Sequence, residues 1–198
     1  MRPYSQEKRL AILQAAFSEV SERGYFETKV DDIARRAGVA KGTVYLYFRD
    51  KPEIYLGLVD WLLCRALDIV SAIDARPLAP EKKLQQVFTE WAEHVFTRPG
   101  ILTLVSLEHI NVPEDAVKRF HRAILPRLRQ MVEAVARIIR PGIKSGIFRR
   151  VDARLAALGF LQAFRTSIIA HRHDIGLRGR TTEVLDLFLS GLMARTKE

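Results

Sequence analysis

The sequence predicts an all-helical protein, and three observations carry that expectation. Apolar residues recur at three- and four-residue spacing in nearly every long segment. Alternation of period two, the signature of a half-buried strand, is weak throughout. Glycine and proline punctuate the segments at the points where helices start and stop. The chain has 198 residues, 48% hydrophobic and 28% charged. That balance belongs to a folded chain long enough to bury a substantial core, and it argues against disorder.

Taken in order, Leu10, Leu13, Phe17 and Val20 form the first stripe, with Ile12 and Ala16 beside it, and Gly24 ends that helix. A very short second helix ends at Gly38, and a third spans roughly Lys41–Phe48. Pro77–Pro80 separates the long fourth segment from a fifth that carries Leu84, Val87, Phe88, Trp91 and Val95. Pro99-Gly100, Pro113 and Pro141-Gly142 punctuate the remainder, and Pro126 is expected to open a helix. Beyond it, Leu128, Met131, Val132, Val135 and Ile139 repeat the helical spacing, and Gly176–Gly179 forms the last loop.

The net charge is +9, which invites a nucleic-acid partner. Its distribution is uneven. Residues 1–55 hold 10 basic and 8 acidic side chains, whereas residues 118–150 hold 10 basic ones against the single acid Glu133. That basic segment reads as a solvated helix face, with attraction of an acidic ligand as the second reading. A single cysteine, Cys64, excludes an internal disulfide framework and a cysteine-cluster metal site. The start carries no apolar leader, and no apolar run approaches the roughly 18 residues of a membrane span. A cytoplasmic protein without membrane partners is expected.

Function is most legible in Thr28–Phe48, TKVDDIARRAGVAKGTVYLYF. Thr28 followed by Asp31 fits a capping box, and Asp31 and Asp32 suit the positive end of a helix dipole. Ile33 and Ala37 share one face, and Gly38 permits the left-handed turn that ends the helix. Val39 plugs the core between the two short helices. On the next helix Val44 and Phe48 point inward, while Lys41 and Tyr45 point the other way. Two short helices joined by a tight glycine turn describe a helix-turn-helix, whose second helix can enter a major groove. Tyr45 and Tyr47 offer hydroxyls to phosphate, and Lys41, Thr43 and Lys51 add donors. Gly42 lets the backbone come close to DNA, and Leu46 could meet a thymine methyl. Asp50, with Glu53 three residues on, caps the fourth helix and so holds Lys51 near a phosphate.

The run IARRAGVAKGTVYLYFRDKPEI resembles the DNA-binding signature of the TetR family of bacterial transcriptional regulators. The resemblance covers about the first quarter of the chain. It implies a three-helix DNA-binding domain over residues 1–50. Residues 51–198 would be a helical domain for ligand binding and dimerisation, giving about nine helices in all. It also implies a homodimer that binds a palindromic operator on double-stranded DNA, most often as a repressor, and is released by a small-molecule effector. Carried over residue by residue, the DNA-contacting positions fall on Thr28, Lys41, Gly42, Thr43, Tyr45, Leu46, Tyr47 and Lys51.

Outside that signature the motifs are weak. The resemblance suggests that helices over roughly Ala153–His173 and Thr181–Ala194 form a four-helix bundle with their copies across a two-fold axis. The first is apolar nearly all round, so it must be buried on more than one side. Leu155, Gly159, Ala163, Val184, Leu185, Phe188 and Leu192 are the expected dimerisation residues, and Gly191 would permit close backbone approach. Leu62, Trp91, Val95, Met131, Phe160 and Phe164 are expected to line a ligand cavity, with His94 and Gln162 as polar contacts. His171-Arg172-His173-Asp174 reads as a polar helix end rather than a metal site, for want of ligand spacing.

An enzyme is not expected, and no cofactor is implied. No phosphate loop, nucleophile elbow or HExxH is present, and Glu108-His109 are adjacent residues that point apart on a helix. A helical interaction module that no longer binds DNA is the other alternative. The tyrosines and Lys41 and Lys51 argue against it.

Overall fold

In a computed structural model that describes residues 5–96, 114–172 and 179–194, the chain forms eight helices. They are α1 (Gln6–Glu27), α2 (Val30–Arg36), α3 (Lys41–Tyr47), α4 (Lys51–Asp74), α5 (Pro80–Phe96), α6 (Glu114–Lys144), α7 (Ala153–Arg172) and α8 (Thr181–Leu192). Among the described residues the extended backbone pairing is one antiparallel bridge, Phe148 with Met193. The all-helical expectation holds, with one helix fewer among the described residues than the nine expected. No described helix is long and apolar enough to cross a membrane. Glu108, His109, His173 and Asp174 lie outside the described residues.

Two compact units are present. One holds the described residues up to Leu63 together with α6 as far as Pro126; the other holds the remainder. In the first unit, Ser5 caps α1 by accepting the Lys8 N–H. The helical path breaks at Gly24, whose φ of +80° lies in the left-handed region, and one further turn follows to Glu27. Thr28 does not cap α2, contrary to the capping-box expectation. Lys29 occupies the cap position, without a side-chain bond, while the Thr28 hydroxyl donates back to the Gly24 carbonyl at 2.7 Å. The break at Gly24 frees that carbonyl, and a hydroxyl four residues on satisfies it locally. Gly38, at φ +65°, makes the turn into α3. The core is Ile12, Leu13, Ala16, Val20, Ile33, Val44, Phe48 and Leu58, with Val39 packed against it. Each large aliphatic member contributes about 1.5–3 kcal/mol by leaving water.

In the second unit the core gathers Leu84, Val87, Phe88 and Trp91 of α5, Val135, Ile138 and Ile139 of α6, Ala157 and Phe160 of α7, and Leu185, Leu189 and Leu192 of α8. Here two expectations from proline are corrected. α6 runs through both Pro126 and Pro141 instead of starting at the first and ending before the second. Both prolines are exposed, as are Arg122 and Arg137 four residues before them. At such exposed positions water can hydrate a carbonyl that loses its helical donor, which lowers the cost of each proline. Buried residues from Ile124 to Ile139 keep the helix on course. After α6 the chain turns through Phe148, 1% exposed. The Phe148 ring fills the space a Cβ on Gly142 would need, with ring carbon Cδ2 at 2.3 Å from that position. Arg149 N–H donates to the Leu192 carbonyl and Ala194 N–H to the Ile147 carbonyl, both at 3.0 Å, which ties the end of α8 to this turn.

Candidate nucleic-acid interface

α3 divides cleanly into two faces. Val44 and Phe48 are 0% and 2% exposed, whereas Tyr45 and Leu46 are 45% and 62% exposed. Lys41 and Gly42 are exposed and Thr43 is half-buried. Phe48 packs beside Leu13 and Gly57, and the Arg9 guanidinium lies over its ring at 5.3 Å. The helix is therefore anchored by one side and presents a lysine, a tyrosine hydroxyl, a leucine and a bare backbone on the other. No acidic residue lies in its first turn.

The remaining expected contacts sit around this helix. Lys41 Nζ pairs with the Asp31 carboxylate of α2 at 3.0 Å, and the hydrogen bond to Asp31 raises its pKa. The Tyr47 hydroxyl accepts the Ser5 N–H at 3.0 Å. Asp50 caps α4 as expected: one oxygen accepts the Glu53 N–H at 2.8 Å, while Glu53 accepts the Arg49 N–H at 2.6 Å. The other Asp50 oxygen accepts from both terminal nitrogens of Arg119 at 3.2 Å. Lys51 Nζ donates to the Phe26 carbonyl at 3.0 Å and stands 4.5 Å from the centroid of the Tyr25 ring. Burial lowers its pKa.

Thr28 is 1% exposed, with its hydroxyl engaged at Gly24. Its neighbour Lys29 is exposed at the start of α2 and makes no ion pair among the described residues. The sequence reading, with the helix starting at Thr28, places Lys29 inside α2 instead of at its cap. A brace fixes the platform under these groups. Arg36 of α2 grips Glu22 of α1 through both oxygens at 2.7 and 2.8 Å, and its Nε lies 3.0 Å from buried Glu19. The bond from Arg36 is the main cause of the lowered pKa of Glu22.

In the second unit the expected ligand-lining residues separate. Trp91, Phe160 and Phe164 join Phe88 in a cluster with centroid spacings of 5.2–5.8 Å, and Phe188 packs on Phe160. The Trp91 indole N–H donates to the Ala66 carbonyl at 3.2 Å. Met131 is buried and Val95 half-buried. His94 is exposed, bonded to the Glu90 carbonyl, and Gln162 is exposed on the outer side of α7. Leu62 packs against the core of the first unit.

The expected dimerisation residues divide too. Leu155 and Gly159 are exposed, and Ala163, Val184 and Phe188 are half-buried. Leu185 and Leu192 are 6% and 4% exposed and belong to the chain's own core. The room beside Gly159 is taken by the chain's own Phe188, 3.3 Å from where a Cβ would stand. Leu158, Ile169 and Leu187, not among the expected residues, are 46%, 40% and 77% exposed. The periodicity held the signal. Leu185, Leu189 and Leu192 are four and three residues apart and mark one face, so Leu187 must lie on the other.

A helix anchored by aliphatic and aromatic residues on one side, with donors on the other and a glycine turn before it, is a helix-turn-helix of a DNA-binding regulator. Residues 12–58 match the family described as bacterial regulatory proteins, tetR family. The fatty acid metabolism regulator protein of Bacillus subtilis (strain 168) is 25% identical over 189 residues, 93% of this chain and 95% of that protein. The HTH-type transcriptional repressor KstR2 of Mycobacterium tuberculosis is 30% identical over 151 residues, 72% of this chain and 70% of the relative. The crystal structure of the transcriptional regulator FadR from Bacillus subtilis in complex with stearoyl-CoA shares the fold, with a TM-score of 0.75 at 24% identity over 92% of this chain and 98% of that one. The chain belongs to the tetR family of bacterial regulatory proteins and is a transcriptional regulator.

Proposed function

We propose that this regulator is a cytoplasmic homodimeric repressor that binds a palindromic operator through α3 and is released by a fatty-acyl thioester or a related acidic amphiphile. The two-faced burial of α3 carries the DNA half of this reading: Val44 and Phe48 hold the helix, and Lys41, Gly42, Thr43, Tyr45 and Leu46 are offered to base edges and phosphates. Tyr47, Lys51 and Lys29 donate to the backbone on either side, as phosphate contacts that set register. Thr28 serves by holding the turn that presents Lys29.

The dimer half rests on Leu155, Leu158, Ile169 and Leu187, apolar side chains left exposed on α7 and α8. A matching face on a second copy would cover them and set the two recognition helices about one helical turn (~34–36 Å) apart. The ligand class follows from the relatives, one named for fatty acid metabolism and one solved with stearoyl-CoA. In this chain the ring cluster around Trp91 and Phe164 is the apolar region such a chain would enter, by displacing the half-buried Phe164.

The test is footprinting of genomic fragments with purified protein at two salt concentrations, with and without stearoyl-CoA. A protected pseudo-palindrome, lost steeply at higher salt and released by the thioester, is expected. Protection unchanged by acyl thioesters of any length would overturn the ligand class. Failure to protect any fragment would overturn the operator.

A further inference from the structure

Phe26 is a large aromatic residue at 64% exposure, in the last turn of α1. It is not isolated. Its ring packs edge-on against Tyr25 at 5.4 Å, and Tyr25 packs edge-on against buried Tyr55 at 5.0 Å. This ladder of three rings runs from the core of the first unit to the surface. Lys51 closes it, with Nζ 4.5 Å from the Tyr25 centroid and bonded at 3.0 Å to the carbonyl of Phe26 itself.

That geometry fixes the lysine and the exposed ring as one unit. An ammonium has three donors. In Lys51 one is spent on the Phe26 carbonyl and the Tyr25 ring face attracts the cation, which leaves a donor for an outside acceptor. A charge-assisted bond to phosphate is roughly 2.8 Å long. Added to the 3.0 Å bond, it puts the phosphate oxygen within about 6 Å of the Phe26 backbone. A phenylalanine side chain spans that distance.

We infer that Phe26 is a DNA contact: its ring packs on the deoxyribose beside the phosphate that Lys51 holds, and Tyr25 is the positioning residue that seats the lysine. The inference rests on the DNA-binding reading above. It explains why an aromatic ring is left in water where a polar turn residue would cost nothing in folding. It also separates two kinds of contact. Lys51 displaces a counterion from the phosphate, whereas an apolar ring displaces only water.

The two contacts therefore leave different marks in a salt titration. Affinity for the footprinted duplex is measured across a range of salt concentrations for the wild type, Phe26→Ala, Phe26→Leu and Lys51→Ala. Phe26→Ala is expected to weaken binding about three- to tenfold at every salt concentration. Its slope of log affinity against log salt should equal that of the wild type, and Phe26→Leu should recover part of the loss. Lys51→Ala should lower the slope itself by roughly 0.9. Thermal unfolding of Phe26→Ala should match the wild type, because the ring is exposed. Wild-type affinity in Phe26→Ala would overturn the inference while leaving DNA binding intact. A reduced salt slope in Phe26→Ala would also overturn it, since the ring would then act only through Lys51. A wild type that binds no duplex would instead overturn the DNA-binding reading.

Discussion

α3 and α8 are both short and amphipathic, and both leave a leucine in water: Leu46 at 62% exposure and Leu187 at 77%. What surrounds each leucine differs. Around Leu46 stand Lys41, Gly42 and Tyr45, with no acid on the helix. Around Leu187 stand Thr182, Glu183, Asp186, Ser190 and Gly191. Two carboxylates on the outer face would repel a phosphate backbone, whereas hydroxyl, amine and bare backbone suit one. An exposed leucine by itself names no partner; the charges beside it do. The surroundings on α3 would suit a thymine methyl, and those on α8 another protein surface.

The comparison can be broken most severely at its hidden sides. Phe48→Ala should cost about 3–5 kcal/mol and remove the first unit's unfolding transition, while Leu46→Ala on the same helix should stay within about 0.5 kcal/mol. Equal effects in circular-dichroism melts would mean that α3 has no inner and outer face. Next in size is Leu187→Glu. It should leave the fold of the protomer unchanged and weaken self-association by about 2 kcal/mol or more, seen as monomers in sedimentation equilibrium. Buried Leu189→Glu should instead unfold the protein. Persistence of a full-strength dimer in Leu187→Glu would remove α8 from the interface.

Lys41→Ala should cost roughly 1–3 kcal/mol on the operator and relax preference at one base position. Asp31→Asn sharpens that test, because it frees the Lys41 ammonium from its partner; non-specific affinity should rise, as read in fluorescence anisotropy with random duplex. The smallest effect concerns the α1–α2 brace. The Glu22 pKa in the folded chain is depressed from 4.5, first by the hydrogen bond from Arg36. A depressed carboxyl contributes stability that is present above the unfolded value and lost as pH falls through the lower folded one. Melting temperature should therefore drop slightly more steeply below about pH 4.5 in wild type than in Glu22→Gln.

The DNA-binding unit was more legible in the sequence than the rest, for a physical reason. A short helix held by two residues has little freedom: the spacing of Val44 and Phe48 determines where Tyr45 and Leu46 must point. Capping patterns carry less. Thr28 and Asp31 have capping-box spacing, yet a broken turn at Gly24 offered the Thr28 hydroxyl a nearer acceptor. On α7 the pattern fails differently. A helix apolar on most sides does not reveal which side its own chain covers, so Gln162 and Gly159 could not be sorted until Phe188 was seen against Gly159. Pro126 and Pro141 misled because a proline stops a helix most surely where it is buried, and here both prolines and the residues four before them are exposed.

Gly142 sets a size limit that reaches beyond its own turn. Any side chain there would evict the Phe148 ring. The backbone of 147–149 would then lose its hold on Leu192 and Ala194, the clasp that fixes where α8 ends and how it is rotated. The end of α8 is thus tied to the missing methyl of a residue in another helix, and a single Gly142→Ala change should be felt at α8 as well as at its own turn.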